Sequence, residues 1–338
     1  MASNKQSKNR KDKAYYRQLR KIIILILIFV FLLVNFGAFT FAWFSSNKNA
    51  LIDTIDINVQ TVSGIQISHD AIEWDNEITL EELHNAVATY RSATNQFPLT
   101  LAGVSTDGSA SNGRMNMYYG LVNEEKHDVF SLYAVKEDEI NCVGDEECNG
   151  HHYVAFDIFL LVTTPADIGI TTTSGVRVRD GETDKGSQNA ARVGFVVVGS
   201  TSMDANAATA QALSGGTQTY IWEPNYDMHT DYGVAAARAF YGLNTTNSGA
   251  QRLPYKGINR AFDEHVLLTE TNNSPYFTTV NPDVATTKEF SSPQSLMHIP
   301  AGITKVRVYL WLEGQDVDLE NAAANSKLKF DLELSMLN

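Results

Sequence analysis

The strongest pattern along the chain is an alternation of apolar and polar residues, which is typical of a β-strand with one buried face. It is regular in Ile55–Val59 and again near the C-terminus, where four apolar residues share one parity: Leu328, Phe330, Leu332 and Leu334. The segment Lys305–Leu312 alternates too, with the more polar or aromatic residues on one face: Lys305, Arg307, Tyr309 and Trp311. We expect each segment to be a strand with one face in the core and the other in water.

Two further segments, Val154–Val162 and Val193–Val198, are apolar almost throughout. Strands of this kind are typical of the centre of a sheet, where both faces are covered. Long connections rich in Gly, Asn, Ser and Thr separate the predicted strands, for example residues 105–113 and 200–219. The sequence therefore predicts a mainly β domain, either a β-sandwich or a jelly roll with long loops.

One or two short helices are expected beside these strands. Thr79 and Glu82 have the spacing of a capping box, which predicts a helix over Ile78–Val87. Three apolar residues line one face of that helix: Leu80, Leu83 and Val87. A second helix is predicted over Ala235–Tyr241.

The segment Ile22–Ala42 contains 21 residues and no charged side chain. At about 1.5 Å per residue, a helix of this length crosses a hydrocarbon core of about 30 Å, so we expect one N-terminal transmembrane or signal helix. Eight basic side chains lie in Met1–Lys21, and the positive-inside rule places this tail in the cytoplasm. The predicted organisation is a basic cytoplasmic tail (1–21), a transmembrane segment or signal peptide (22–42) and an extracellular β-rich domain (43–338).

Two fates are open for the apolar segment. It is longer than the usual stretch of about 7–15 apolar residues in a cleavable signal, which favours a retained anchor. Thr40 and Ala42, however, place small residues at the two positions that a signal peptidase reads, with cleavage before Trp43. In either case we expect an extracellular or cell-surface protein, which contacts the membrane through residues 22–42.

The chain is acidic, with a formal net charge of −13. The N-terminal tail holds eight of the 26 basic residues and one of the 39 acidic residues. The remaining residues therefore carry 18 basic and 38 acidic side chains, a net charge of −20. A domain of this charge repels nucleic-acid phosphates, so we expect no nucleic-acid partner.

Cys142 and Cys148 are the only cysteines, and the predicted topology places both outside the cell. A disulfide between them closes a short loop and contributes about 2 kcal/mol by loop entropy. Zinc is the alternative, because His151 and His152 follow. Neighbouring residues of a strand point to opposite faces, so at most one histidine joins the cysteines, which leaves too few ligands for a tetrahedral site. We therefore predict the disulfide and no metal site.

Two acidic segments contain the oxygen ligands that calcium prefers, Asp180–Asp184 and Glu313–Glu320. Neither has the spacing of an EF-hand, and turns use Asp and Gly for backbone reasons, so calcium stays an open alternative. The chain contains no HExxH helix, GxSxG turn, P-loop or GxGxxG motif. We therefore predict no catalytic residues, no required cofactor and no enzyme.

The junction Gly37–Phe44 resembles the leader of the TasA and camelysin family, exported Gram-positive proteins of which several build biofilm matrix fibres. The likeness lies in a Gly-rich apolar stretch followed by Thr-aromatic-Ala. In that family a dedicated signal peptidase cuts after the Ala that corresponds to Ala42. Two stretches, Ile221–Asn225 and Trp311–Asp316, resemble segments of secreted proteins with the same leader. The resemblance implies export and fibre assembly, and it adds a metalloprotease alternative because camelysin is described as one.

The segment after the leader is suited to assembly. Cleavage at Ala42 frees an arm, residues 43–62, in which Ile55, Ile57 and Val59 alternate with polar residues. Such an arm adds to a sheet edge of the next subunit and builds a filament, or it folds into its own subunit. We expect a secreted or membrane-anchored structural protein, a fibre or biofilm-matrix subunit that assembles by donating this strand. The alternative is a non-polymerising surface adhesin.

Overall fold

The computed structural model describes Lys21 and residues 55–62, 64–122, 129–135, 142–143, 152–181, 183, 186–241, 252–253, 255–267, 275–319 and 327–337. The chain divides into two units, Met1–Ala42 and Trp43–Asn338, and all described residues except Lys21 belong to the second. No helix within the described ranges is long and apolar enough to span a bilayer. The predicted membrane segment, residues 22–42, lies outside those ranges and stays a prediction.

The second unit is mainly β, as predicted, and its strands are numbered along the chain. Sheet I has six strands: β1 (Ile55–Val62), β3 (Glu77–Ile78), β11 (Ala166–Ile170), β12 (Gly175–Val178), β19 (Gln294–Ile299) and β21 (Leu328–Leu337). Their order is β19-β11-β21-β1-β3, and β12 also pairs with β21. The first and last of the described strands, β1 and β21, are parallel neighbours, whereas the other pairs in this sheet are antiparallel.

Sheet II has eight strands: β2 (Gln66–Ser68), β4 (Asn95–Phe97), β9 (Cys142–Val143), β10 (Tyr153–Val162), β13 (Ala191–Thr201), β14 (Gln218–Glu223), β18 (Val284–Ala285) and β20 (Gly302–Leu312). Their order is β18-β14-β13-β20-β10-β4-β9, and β2 also pairs with β10. The long antiparallel strands β13, β20 and β10 form the centre of this sheet. The two apolar segments of the sequence are therefore central strands, as predicted.

Smaller elements lie outside the two large sheets. They are the hairpin β5 (Ala110–Ser111) and β6 (Arg114–Met115), the three-stranded sheet of β7 (Tyr118–Val122), β8 (Val129–Ala134) and β16 (Phe262–Leu267), and the pair β15 (Tyr255–Ile258) and β17 (Phe277–Val280). The helices of the described residues are short: α1 (Leu80–His84), α2 (Ala86–Thr89), α3 (Ser187–Ala190), α4 (Ala207–Gln211) and α5 (Asp231–Tyr241).

Both helix predictions are confirmed in their essentials. The Thr79 hydroxyl accepts a hydrogen bond from the backbone N–H of Glu82 at 3.2 Å, and the Glu82 carboxylate accepts one from the backbone N–H of Thr79 at 2.7 Å, which is a complete capping box. The predicted helix breaks at Asn85 into α1 and α2, so it is shorter than the apolar spacing indicated. The second helix, α5, begins four residues before the predicted start.

Apolar side chains from both sheets belong to one hydrophobic core, which is consistent with a β-sandwich. The residues of β21 with the predicted parity are at most 1% exposed: Leu328, Phe330, Leu332 and Leu334. The residues between them are exposed or half-buried, so β21 has one buried face and one face toward solvent, as expected. Val154 and Phe156 of β10 and Val308 and Leu310 of β20 join the same core from sheet II.

The prediction for β20 is wrong on one face. Its core-facing residues are buried as expected, but Lys305, Arg307, Tyr309 and Trp311 are buried as well. A second apolar layer covers this face of sheet II, with residues from several connecting segments: Val104, Met115, Met117, Tyr255 and Val280. A third cluster, around Tyr90, Phe159 and Ile303, covers the other end. The long connections therefore pack on sheet II and keep water from its outer face.

Candidate functional site

The predicted donor strand forms β1 and lies within the sheet of its own chain. It pairs in parallel with β21 over its whole length, from Ile55 opposite Leu328 to Val62 opposite Ser335. Ile57 and Val59 are 3% and 0% exposed and belong to the shared core. This arrangement corresponds to the intramolecular alternative of the sequence analysis. It leaves donation between subunits as a prediction, because the structure contains a single chain.

The other edge of β1 is only partly paired. The short strand β3 pairs with it at two positions, Val59 with Ile78 and Gln60 with Glu77. Within the described residues no strand pairs with this edge along Ile55–Asn58. β1 therefore depends mainly on the groove that β21 and the core residues beneath it provide.

A short connection joins β1 to the rest of the domain. β1 leaves sheet I at Val62 and β2 enters sheet II at Gln66, so residues 63–65 join the two sheets. Gly64 has a φ of +87°, and a Cβ atom there would lie 2.8 Å from the Met336 sulfur. Glycine fits both the left-handed backbone and this close approach. The Thr61 hydroxyl donates to the carbonyl of Ile65 at 3.1 Å and closes the turn.

Polar contacts hold the outward face of β1 weakly. Arg179 Nη2 lies 3.4 Å from Asp56 Oδ2, and both side chains are more than a third exposed. Gln60 Nε2 donates to Glu77 Oε1 at 3.3 Å on the exposed side. Exposed pairs of this kind contribute about 0–1 kcal/mol. The apolar face and the backbone ladder with β21 therefore provide most of the affinity between β1 and its groove.

The remaining predicted site residues are only partly described. The cleavage residues Ala42 and Trp43 lie outside the described ranges. Cys142 lies in β9, opposite Gln96 of β4, whereas Cys148 and His151 are not among the described residues. The disulfide and the cleavage site therefore stay predictions. The His152 ring stacks on Tyr119, with 4.7 Å between ring centroids.

In the second of the two acidic segments that suggested calcium, the carboxylates of Glu313, Asp316 and Asp318 have protein partners. Asp316 Oδ2 lies 2.5 Å from Arg192 Nη2, and Asp318 Oδ2 lies 2.7 Å from His229 Nδ1. Glu313 accepts hydrogen bonds from the Trp311 indole at 3.2 Å and from the backbone N–H of Gln315 at 3.0 Å. In the described part of the chain, no group of three or more His, Cys, Asp or Glu side chains is arranged to hold a metal ion.

A buried charge network around Arg192 was missed by the sequence analysis. The Arg192 side chain is fully buried, and its guanidinium contacts Glu223 at 2.7 Å as well as Asp316. Arg252 Nε lies 2.6 Å from the second oxygen of Glu223. These contacts tie β13, β14 and the segment after β20 together. The sequence signal was a charged residue beside a strand, Arg192 before Val193–Val198 and Glu223 at the end of β14, and such residues also occur at exposed strand ends.

Glu313 lies beside this network and is fully buried. Burial raises the pKa of its carboxyl to about 7, although hydrogen bonds from Ser105, Gln315 and Trp311 and the charge of Arg192 oppose the increase. The carboxyl therefore changes its charge near neutral pH. Its partners include Arg192 of β13, Tyr255 of β15 and Ser105 of the segment between β4 and β5, so its pKa depends on the packing of the layer that covers sheet II.

Comparison of the chain with protein-family models, with curated proteins and with solved structures gave no match. Function is therefore inferred from the geometry of the chain itself.

Proposed function

We propose that this protein is a secreted or membrane-anchored structural subunit that assembles into an extracellular fibre by exchanging β1 between copies. The observation that carries the proposal is the position of β1, an N-terminal strand joined to the domain by residues 63–65 and held in a groove beside β21. A second copy of the chain offers the same groove. An exchanged β1 would make the same hydrogen bonds and bury the same side chains.

Exchange of this strand changes few contacts. Ile57 and Val59 occupy the core in either arrangement, and burial of two such side chains contributes about 3–6 kcal/mol before ordering costs. The connection at residues 63–65 has to open, and exchange of an identical element between copies is a low-cost route to association. When the strand passes one way, from each subunit to the next, the contact is head-to-tail, and a head-to-tail contact that does not close into a ring extends into a filament.

The leader supports export. The resemblance of Gly37–Phe44 to the TasA and camelysin leaders places cleavage after Ala42, which would release residues 43–62 as a free arm. The finer fold that we propose is a jelly roll, the architecture expected for fibre subunits of this kind. Sheet I, with an N-terminal strand beside the C-terminal strand, is compatible with that architecture.

The test uses a pair of cysteines at Asn58 and Asp331, which face each other across β1 and β21. The full chain is expressed and exported, and the mature protein is allowed to assemble before oxidation. If β1 comes from the neighbouring copy, oxidised filaments give a ladder of covalent oligomers on a denaturing gel. The single variant Asn58→Cys, which keeps Cys142 and Cys148, gives no such ladder. Exported protein without filaments, or filaments whose cysteines join only within one chain, would contradict the proposal.

The second candidate is a membrane-anchored surface protein that binds a partner without polymerising. The complete pairing of β1 with β21 within one chain favours it, because a subunit that fills its own groove offers none to a neighbour. The same cysteine pair separates the two functions. A purely intramolecular crosslink in a soluble monomer would support this second function.

A further inference from the structure

A surface cleft of about 390 Å³ lies on the layer that covers sheet II. Its polar lining comes from one short stretch of chain: Ser111, Asn112, Arg114 and Asn116. Met115, Met117 and Tyr153 provide apolar surface from the second hydrophobic cluster. The volume falls within the range of small-ligand sites, roughly 300–1,000 Å³.

The hairpin that carries the polar residues is firmly held. Asn112 and Gly113 form its turn with φ values of +54° and +77°, the left-handed conformation that a two-residue hairpin turn requires. Gly113 N–H donates to the carbonyl of Gly216 at 2.7 Å, and its carbonyl accepts from Arg307 at 3.3 Å. The backbone N–H of Met115 donates to the Tyr309 hydroxyl at 3.2 Å. The lining is therefore pre-organised, which lowers the entropic cost of binding.

A row of aromatic rings adjoins the cleft. Tyr119 stacks on His152 with 4.7 Å between ring centroids and an interplanar angle of 20°. Tyr133 stacks with Tyr119 at 5.6 Å and 29°, and it is 38% exposed. Tyr119 therefore stacks with both of the other rings, and Tyr133 reaches solvent.

The row lies beside the cleft. Tyr119 and Tyr133 are opposite each other on β7 and β8, and their chain neighbours Tyr118 and Ala134 line the cleft. Tyr119 also packs on the hydrophobic cluster that contains the lining residues Met117 and Tyr153. His152 precedes Tyr153 in the chain.

This combination of groups suits a sugar chain. Ring faces carry a partial negative charge and attract the polarised C–H groups of a pyranose. The Asn112 amide provides donors for sugar hydroxyls, and Asn116, whose Nδ2 donates to Ser109 Oγ at 3.0 Å, has a second amide hydrogen for the same purpose. The described lining includes no carboxylate, and the strongly acidic chain repels polyanions, which favours a neutral ligand.

We propose that this cleft and the Tyr119–Tyr133 row bind a neutral oligosaccharide of pyranose units, with one sugar ring on Tyr133 and its neighbour in the cleft. This site gives the protein a ligand at the cell surface, and it does not depend on fibre assembly. β1 lies in sheet I, whereas the cleft lies on the layer over sheet II, so the two activities are separable by mutation.

The test is calorimetric titration of the exported protein with four neutral hexasaccharides: cellohexaose, laminarihexaose, maltohexaose and chitohexaose. At least one is expected to bind saturably. Tyr133→Ala should weaken that binding about five- to tenfold, because it removes one stacking contact. Asn116→Ala, which changes the cleft and leaves the ring row intact, should weaken it as well. Thermal unfolding of each variant verifies that it is folded.

Tyr232→Ala is the matched control, because Tyr232 lies on α5 and is 37% exposed, close to the value for Tyr133. It should bind like the wild-type protein. Absence of binding to all four probes would overturn the proposal, and so would equal losses in the Tyr133 and Tyr232 variants. Binding confined to an acidic oligosaccharide such as hexameric alginate, and abolished by salt, would also overturn it.

Discussion

Sheets I and II each contain an aspartate that binds one arginine and one lysine. On β10 of sheet II, Asp157 lies 2.7 Å from Arg307 Nε and 3.3 Å from Lys305 Nζ. On β21 of sheet I, Asp331 lies 3.6 Å from Arg177 and 3.1 Å from Lys329. The side chains of the sheet II group are at most 7% exposed, whereas the exposed fractions of the sheet I group range from 20% to 47%.

The same residue types therefore have different energetic roles in the two sheets. Burial by itself would raise the pKa of Asp157, but Arg307 and Lys305 and the hydrogen bonds from Arg307 and Thr94 hold it below its usual value. A buried charge of this kind depends on its partners, because water cannot replace them. Asp331 keeps contact with water, and exposed pairs contribute about 0–1 kcal/mol. We therefore expect the free-energy cost of removing an ion pair to depend on the layer that covers it more than on the residue types in the pair.

The largest expected effect is that of Asp157→Ala. The substitution leaves the charges of Arg307 and Lys305 buried without their counter-ion, and we expect it to lower the free energy of unfolding by about 3–5 kcal/mol. Urea denaturation followed by tryptophan fluorescence measures the difference.

The matched substitution is Asp331→Ala, with an expected loss of less than about 1 kcal/mol. If Asp157→Ala is too unstable to purify, Asp157→Asn retains the shape of the side chain and should still be much less stable than Asp331→Asn. Equal losses in the two sheets would show that the covering layer admits water to Asp157.

The second effect depends on pH and concerns Glu313, which follows β20 under the same layer. Its pKa is raised from 4.5 to about 7 in the folded protein, so the unfolded chain loses this proton first as the pH rises. The corresponding stabilisation is complete below about pH 4.5 and is lost as the pH passes through about 7, a change of about 3 kcal/mol. The other ionisable groups in the same buried cluster are Arg192, Glu223, Asp316 and Tyr255.

Glu313→Gln keeps the shape of the protonated side chain and removes its titration. We expect the variant and the wild-type protein to have similar stabilities near pH 4, and the variant to be more stable near pH 8. Chemical denaturation across this range measures the difference. A constant difference at all pH values would show that the carboxyl of Glu313 has the same pKa in the folded and the unfolded protein.

The smallest of the three effects belongs to Thr79→Ala, at a site that neither sheet covers. The change removes the hydroxyl that accepts from the Glu82 N–H and leaves the first turn of α1 without its cap. The expected loss is about 1 kcal/mol, a typical value for an N-cap. Thr79→Ser should retain most of the stability. A loss as large as that of Asp157→Ala would show that the cap is needed to hold Leu83 of α1 in the core.

Much of the fold was predictable because it depends on short stretches of sequence. The alternation in Ile55–Val59 and Leu328–Leu334 repeats every two residues, so a few neighbouring residues were enough to predict each strand. The spacing of Thr79 and Glu82 spans a single helical turn, so it predicted the start of the helix in the same way. The continuous apolar runs in Val154–Val162 and Val193–Val198 identified the central strands for the same reason. Of the predicted assembly site, the sequence located the strand itself but not the groove that holds it.

The sequence by itself determined the strand content, the core-facing parity of β1 and β21, the two central strands, the capped helix and the acidity of the chain. The tertiary structure decided that β1 lies beside β21 and that the polar face of β20 is buried with its charges paired. The physical reason is that a strand's own pattern records only its contact with the core. The surroundings of its second face depend on distant segments, such as the one around Tyr90 and the one around Tyr255, which pack there only when the whole domain folds.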